Sequence, residues 1–315
     1  MGQHDRAAFD QALRPARLSA YPAGEFVGQE SFMLASEILG LAVRAGVAPG
    51  VSLLDMCCGV AGPGRLICRE LGCTYTGVDA SASAIDLARE RAGDLGCHFE
   101  TRRIPPVPPG PFDVVLLLET MLAFPDKPTL IREIAAALEV GGRFAFTLEE
   151  GQPLTNAERA AMPNPDTVWL MPLPDLHSCL DQAGLRIRWQ TECSRSHSAV
   201  ADALTRAFAH HASEIAARVG RPVLDDLLAA HRLWRDWLNN GRVRKFAFVA
   251  ERAVSHPGGA GFTGQGYGED FGRKNLFSRP SPSTVRSGLA RSTLVTCGNA
   301  IGVRWRSRAT SSTSR

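Results

Sequence analysis

A chain of 315 residues with 44% hydrophobic and 21% charged side chains can bury a large core as one or two domains. Its most apolar stretch, Phe112 to Phe124, is too short to span a bilayer and is broken by Glu119, and the opening MGQHDRAAFDQALRP lacks the apolar region of a secretory signal, so a cytoplasmic location and no membrane partner are expected. Nine of the 35 Lys and Arg but only Glu269 and Asp270 of the 32 acids lie beyond Val254, leaving 26 basic against 30 acidic residues before it, which argues against a nucleic-acid-binding body.

Residues 1 to 27, with Pro15, Pro22 and Gly24, read as irregular and as a segment able to lie over a site like a lid. Ser31 to Val47 has helical apolar spacing. Val51–Met56 and Thr74–Asp79 read as strands around a helix from Pro63 to Leu71, and Ser81 caps a helix through Arg91. His98 to Ile104 suggests a third strand, after which Pro105, Pro106, Pro108 and Pro109 forbid an immediate helix. Phe112 to Leu118 has the continuous apolar character of a central parallel strand. A helix over Pro128–Leu138 closed by Gly141-Gly142, and a strand over Arg143–Glu149, follow. Past a Pro- and Asn-rich stretch, with a short helix after Thr155, come a helix over Asp175–Ala183 and a strand over Leu185–Cys193. Two amphipathic helices are expected across residues 199 to 240, hinged at Gly220-Arg221-Pro222. Val243–Arg252 is the last strand, and residues 254 to 315 have the composition of a disordered basic tail. The eight cysteines contain no C-x-x-C pair and read as reduced thiols, with no metal site expected.

The most informative stretch is VSLLDMCCGVAGPGRLICRELGCTYTGVD, residues 51 to 79. An apolar strand ends in Asp55, a loop of small residues follows, a helix opens at Pro63-Gly64, and a second strand ends in Asp79, twenty positions after Gly59. Small residues let a backbone approach a ligand, the helix start offers free N–H groups, and an acid at the second strand's tip can accept from two ribose hydroxyls. Two cofactor classes use such a turn. Gly59-Val60-Ala61-Gly62-Pro63-Gly64 satisfies a relaxed dinucleotide fingerprint. A short-chain nicotinamide oxidoreductase also needs Tyr-x-x-x-Lys, and Tyr21, Tyr75 and Tyr267 are followed four positions on by Glu25, Asp79 and Phe271.

The combination LLDMCCGVAG, GVD, FDVVLLLE, LEVGGRFAF and FAFVAER resembles class I S-adenosylmethionine-dependent methyltransferases over residues 28 to 252. The resemblance implies an α/β fold: a three-layer αβα Rossmann-like seven-stranded sheet, last strand antiparallel, here with a helical cap inserted between strands six and seven. It implies S-adenosyl-L-methionine as cofactor, and methyl transfer to an N, O or C atom of a small molecule, similar to the enzymes of glycine derivatives and natural products. LETML stands where amide- and base-methylating relatives carry an N-P-P-Y-type tetrapeptide, which weighs toward an O, C or small-amine acceptor. RNA or protein methylation is the rival that the basic tail favours. The cap helices could pack on their own sheet or on a second subunit, so a homodimer is among the arrangements allowed.

On this resemblance Asp55 lies beside the cofactor's ammonium group, Cys57, Gly59 and Ala61 offer backbone contacts, and Asp79 holds the ribose, with Ala80 at the adenine edge. The family usually has Gly where Cys57 and Ala61 stand. The acid that commonly follows strand three is missing from Arg102-Arg103-Ile104-Pro105, leaving Ile104 and a backbone N–H to hold the base. Glu119, ending the fourth strand at the ligand-binding edge of the sheet, is a candidate for the cofactor's positive charge. Glu149 and Trp169 are candidates for facing substrate, Arg195 for clamping an anion, and His197 for general base, its ordinary pKa suiting proton removal near neutrality. Each has a plain structural alternative: solvated acids, core aromatics, a surface Arg–His pair.

Overall fold

The computed structural model describes residues 3–162 and 165–253; the basic stretch 254–315 lies outside the described residues. The first element is a helix. α1 (Gln3–Ala20) runs through Pro15, where an irregular segment is expected from the sequence. The proline forfeits one backbone bond, but Phe9, Leu13 and Ala16 bury a continuous stripe against the helices of residues 194 to 239. α2 (Ala35–Arg44) starts four residues later than its spacing suggests, its first turn fixed by Glu37 accepting from Leu34 N–H.

β1 (Ser52–Met56), α3 (Gly62–Leu71), β2 (Thr74–Asp79), α4 (Ala82–Ala92) and β3 (His98–Thr101) follow as right-handed β-α-β units. Ser81 caps α4 by accepting from Ala84 N–H. β3 stops at Thr101, short of Ile104. β4 (Phe112–Leu117), α5 (Lys127–Ala137) and β5 (Leu138–Glu150) continue the pattern. Gly141 and Gly142 lie inside β5, where the register against β4 shifts, and do not close a helix. Then come α6 (Asn156–Ala161), α7 (Leu173–Gln182), β6 (Leu185–Glu192), three helices α8 (Ser194–His210), α9 (Ala212–Val219) and α10 (Arg221–Asn239), and β7 (Arg244–Arg252). The first of the two helices expected after β6 is thus two, broken at His211.

The sheet order is β3-β2-β1-β4-β5-β7-β6, with β7 antiparallel to both neighbours. Neighbouring residues in each strand serve opposite cores. Leu53, Leu116 and Ala145 face Ile38, Leu41 and Ile67 of α2 and α3, whereas Leu54, Val115 and Phe144 face Ile131, Ile134 and Leu180 of α5 and α7. Phe144, Phe146 and Phe248 stack in series, with centroids 4.2 and 5.0 Å apart. A third core joins α1 to α8, α9 and α10 through Leu13, Leu204, Phe208, Ile215, Leu227 and Trp234. The seven described cysteines are free thiols, and no helix among the described residues is long and apolar enough to cross a membrane.

Candidate active site

The carboxyl ends of β1 and β4 open onto a cleft lined by residues 57–60, 28–31 and 118–120. The turn after β1 is bent by three consecutive odd positions in left-handed backbone, Cys57 (φ 60°), Gly59 (φ 56°) and Ala61 (φ 54°). Only glycine takes that conformation without strain, which explains why relatives favour it where Cys57 and Ala61 stand. The turn is packed from outside: a Cβ on Gly62 would lie 2.6 Å from Val27 O. Residues 27 and 28 therefore lean on the loop backbone, making the 28–31 segment a wall of the cleft.

Asp55 lines this cleft, buried, with its Oδ2 accepting from Tyr75 Oη at 2.6 Å. Burial pushes its carboxyl up to about 7, against the pull of the tyrosine hydrogen bond. Asp79 does not line the cleft. It is 1% exposed, and its two oxygens accept from Gly59 N–H (3.0 Å) and Ser81 N–H (2.8 Å). Burial raises it to about 6, although these two donors and Arg6 oppose the rise. α1 covers this corner, with Ala7 packed on Val60, Ala84 and Leu87 and Arg6 paired to Glu30 at 2.6 Å. Ala80 is half-buried between β2 and α4. Ile104 does not reach the cleft; it is core, packed with Leu54, Met56 and Val78.

Glu119, also in left-handed backbone (φ 55°), turns away from the strand and anchors a buried charged cluster. Lys245 Nζ donates to Glu119 Oε2 (2.7 Å) and Glu149 Oε1 (2.5 Å). His197 lies with Nε2 3.2 Å from Glu37 Oε2 and Nδ1 3.9 Å from Glu119 Oε1. Burial alone would raise Glu119, but Lys245 and His197 outweigh it and hold the carboxyl below its ordinary value. Burial alone would likewise neutralise His197, yet Glu119, Cys193 and Glu37 raise it to about 10. The imidazole is therefore charged at neutrality, which corrects its reading as a general base: it has no lone pair to offer.

Three sequence candidates fall elsewhere. Glu149 is 1% exposed and belongs to the Lys245 pair. Arg195 is exposed on the first turn of α8, where it clamps nothing in the cleft. Trp169 is half-buried under the Arg159 guanidinium, 4.4 Å from its centroid. Lys245 and Glu37 are not singled out by motif. Lys245 leaves a signal all the same: in RKFAFVA the period of two puts it on the face of Ala247 and Val249. A lysine on a core face needs a buried acid opposite, and the antiparallel register supplies Glu149. Among the described residues no cluster of His, Cys, Asp and Glu is arranged to hold a metal.

A second, narrow cavity lies between α1 and the α8 and α10 helices and shares Gln29, Glu30 and Ser31 with the first. Phe9, Leu204, Phe208 and Leu227 give it an apolar side, and Arg17, Tyr21 and His231 join the shared polar residues in its lining. The His231 Nδ1 lies 2.8 Å from Leu227 O, and burial lowers the imidazole to about 4. Nδ1–H thus donates to that carbonyl, and Nε2 keeps a lone pair.

A mixed sheet with an antiparallel last strand and a nucleoside-type turn after β1 defines a Rossmann-like transferase architecture. The profile of the methyltransferase domain family matches residues 18–190, and the chain belongs to that family. It is 32% identical over 109 residues to methyltransferase GfsG of Streptomyces halstedii, a match covering 33% of this chain and 39% of that one. It is 28% identical over 170 residues to cycloartenol-C-24-methyltransferase of Arabidopsis thaliana, covering 49% and 50% of the two chains. The chain thus spans about two fifths to half of these relatives. The fold resembles that of Haemonchus contortus phosphoethanolamine N-methyltransferase 2 in complex with S-adenosyl-L-methionine, with a TM-score of 0.66 at 17% identity, over 80% of this chain and 58% of that one.

Proposed function

We propose that the protein is an S-adenosylmethionine-dependent methyltransferase acting on an N, O or C atom of a small molecule by in-line displacement. The observation that carries this reading is the charge of the cleft. Its lining includes Glu30, Asp55 and Glu119 and no Lys or Arg. A dinucleotide pyrophosphate would meet three acidic side chains and no Lys or Arg in that lining, whereas a donor bearing a sulfonium and an ammonium is cationic and fits. Glu119 Oε1, buried and without a hydrogen-bond partner, is an acceptor waiting for such a group. Family membership supports the same class.

When bound, S-adenosylmethionine supplies an electrophilic methyl on a sulfur that is already a good leaving group. The chain's own residues bind and orient it. Asp79 accepts from the ribose hydroxyls, Gly59 and Ala61 give close backbone approach, with Cys57 beside them, and Asp55 and Glu119 face the positive end. α1 closes over the nucleoside corner as a lid, with Ala7 packed on Val60, Ala84 and Leu87 while Asp79 lies buried. The cavity lined by Phe9, Phe208 and His231 receives the apolar body of the acceptor, and holding the reactants aligned and dry supplies much of the acceleration. Free thiols throughout the described residues suit a reducing cytoplasm.

Thermal melting tests the assignment. S-adenosylmethionine and S-adenosylhomocysteine raise the melting temperature, and NAD leaves it unchanged. Asp79→Asn weakens binding of both by roughly 1.5–3 kcal/mol in calorimetry, the range for a hydrogen bond to a charged group. A shift with NAD and none with the sulfonium compound would falsify the reading.

A further inference from the structure

Five titratable side chains, from four elements and one loop, converge where α2, β5, α8 and β7 meet the residues after β4. Glu37, Glu119 and Glu149 are acids; His197 and Lys245 are bases. Lys245, His197 and Glu149 are 2%, 0% and 1% exposed and Glu119 is 4% exposed. A buried charge set is stable only where each charge is paired and hydrogen-bonded, and this one is not balanced. Three carboxylates against two cations leave one negative charge. Two oxygens, Glu119 Oε1 and Glu149 Oε2, have no hydrogen-bond partner, and of these residues only Glu119 lines the cleft. The surplus acceptor capacity is therefore displayed at one place.

Resting on the cofactor assignment above, we propose that Lys245 and His197 are positioning residues that keep Glu119 ionised and aimed, so that it receives one cationic group of the donor, the sulfonium or the ammonium. Each part of the cluster has a task. Lys245 Nζ holds Glu119 Oε2, with Phe32 N–H at 3.5 Å from the same oxygen, which leaves Oε1 free of any hydrogen bond, buried 3.9 Å from His197 Nδ1. Glu119 N–H donates to Thr147 Oγ1 at 2.6 Å, fixing the strained backbone that aims the side chain. Glu149 holds Lys245 from behind, and Glu37 and Cys193 hold His197. Without Lys245, Glu119 would face its own desolvation with His197 alone in support, and a buried carboxyl so placed takes up a proton. The groups that bear on its titration are Lys245, His197, Glu149 behind Lys245, Glu37 behind His197, and Tyr21, whose hydroxyl donates to Ser31 O.

Calorimetry with three probes tests this: S-adenosylmethionine, S-adenosylhomocysteine, which keeps the ammonium and lacks the sulfonium, and 5′-methylthioadenosine, which has neither. Glu119→Gln loses roughly tenfold to a hundredfold in affinity for S-adenosylmethionine at every pH. If S-adenosylhomocysteine is spared, the charge received is the sulfonium; if it suffers equally while methylthioadenosine does not, it is the ammonium. Lys245→Met shows the same loss at neutral pH and recovers relative to the wild type as pH rises and Glu119 ionises, the ratio of the two affinities cancelling the titration of Asp55 and Asp79 that both proteins share. A purely structural lysine would give a loss that pH does not mend, and that result overturns its positioning role. Equal losses for all three probes in a folded Glu119→Gln protein, or none, overturn the cluster as a charge receptor. Should Lys245→Met not fold, Glu119→Gln, which keeps shape and removes charge, decides alone. A wild type that binds none of the probes sinks the cofactor assignment itself, a failure distinct from the others.

Discussion

Asp55 and Asp79 stand at the tips of adjacent strands, Asp55 one register step from Val78, and both are held above the ordinary aspartate range by burial. For Asp55 the consequence for stability has a definite sign. The unfolded carboxyl titrates at its ordinary value of 3.8 and the folded one at about 7, so between those values the folded state holds the extra proton and stability falls as pH rises. The penalty is absent below the lower value and complete above the upper one. Asp55→Asn, which keeps an acceptor for Tyr75, therefore unfolds at higher denaturant than the wild type at pH 8, by about 4 kcal/mol at most, and the difference closes toward pH 4. A difference constant with pH would mean that the carboxyl is not the group at issue. The gain at pH 8 comes with weaker cofactor binding if Asp55 faces the ammonium, the trade expected of a strained binding residue.

Which elements show in the sequence depends on whether local chemistry or tertiary contact makes them. β2 and α4 are legible to the residue, because an apolar run ends in Asp79 and Ser81 is a self-contained cap. β7 is legible as a short apolar run, Phe246 to Ala250, buried on both faces. α1 is not, because Pro15 speaks against a helix and only the apolar partners on α8 and α10 override it. The binding turn shows as a string of small residues, but the cluster around Glu119 does not, since its members lie up to 208 positions apart and meet only through strand register. α1 also carries an ion-pair latch. Asp10 holds Arg17 at 3.2 Å and, across to α4, Arg91 at 2.6 Å, with Asp10 only 3% exposed. Removing one partner of a buried pair strands the others, at a cost of roughly 3 kcal/mol. Asp10→Ala thus speeds amide exchange along Gln3–Ala20 and hastens release of S-adenosylhomocysteine, while exchange in β1, β4 and β5 stays as in the wild type. Acceleration spread evenly over the sheet would make α1 part of the global core and not a lid.

At the scale of the whole molecule, the described fold closes on itself at residue 253. β7 inserts between β5 and β6, and Ala253 N–H donates to Gly184 O at 2.9 Å just beyond its end. Among the described residues, both cavities and the charged cluster draw on side chains between residues 9 and 245. The charge beyond Val254 is nonetheless strongly basic, nine Lys and Arg against two acids, and this asymmetry is what an RNA- or protein-directed enzyme would exploit. The two readings separate on truncation. A chain ending at Ala253 keeps the melting temperature and the S-adenosylhomocysteine affinity of the full chain if the site is built as described, because no binding residue is removed. Its affinity for single-stranded RNA, where the full chain has any, falls and loses its salt dependence, since that attraction comes from the removed charges. A truncated chain that no longer binds the cofactor would place part of the cofactor site beyond Ala253. One that binds cofactor but has lost methyl transfer to every acceptor of the full chain would move the acceptor from the apolar cavity by His231 to whatever the basic segment recruits.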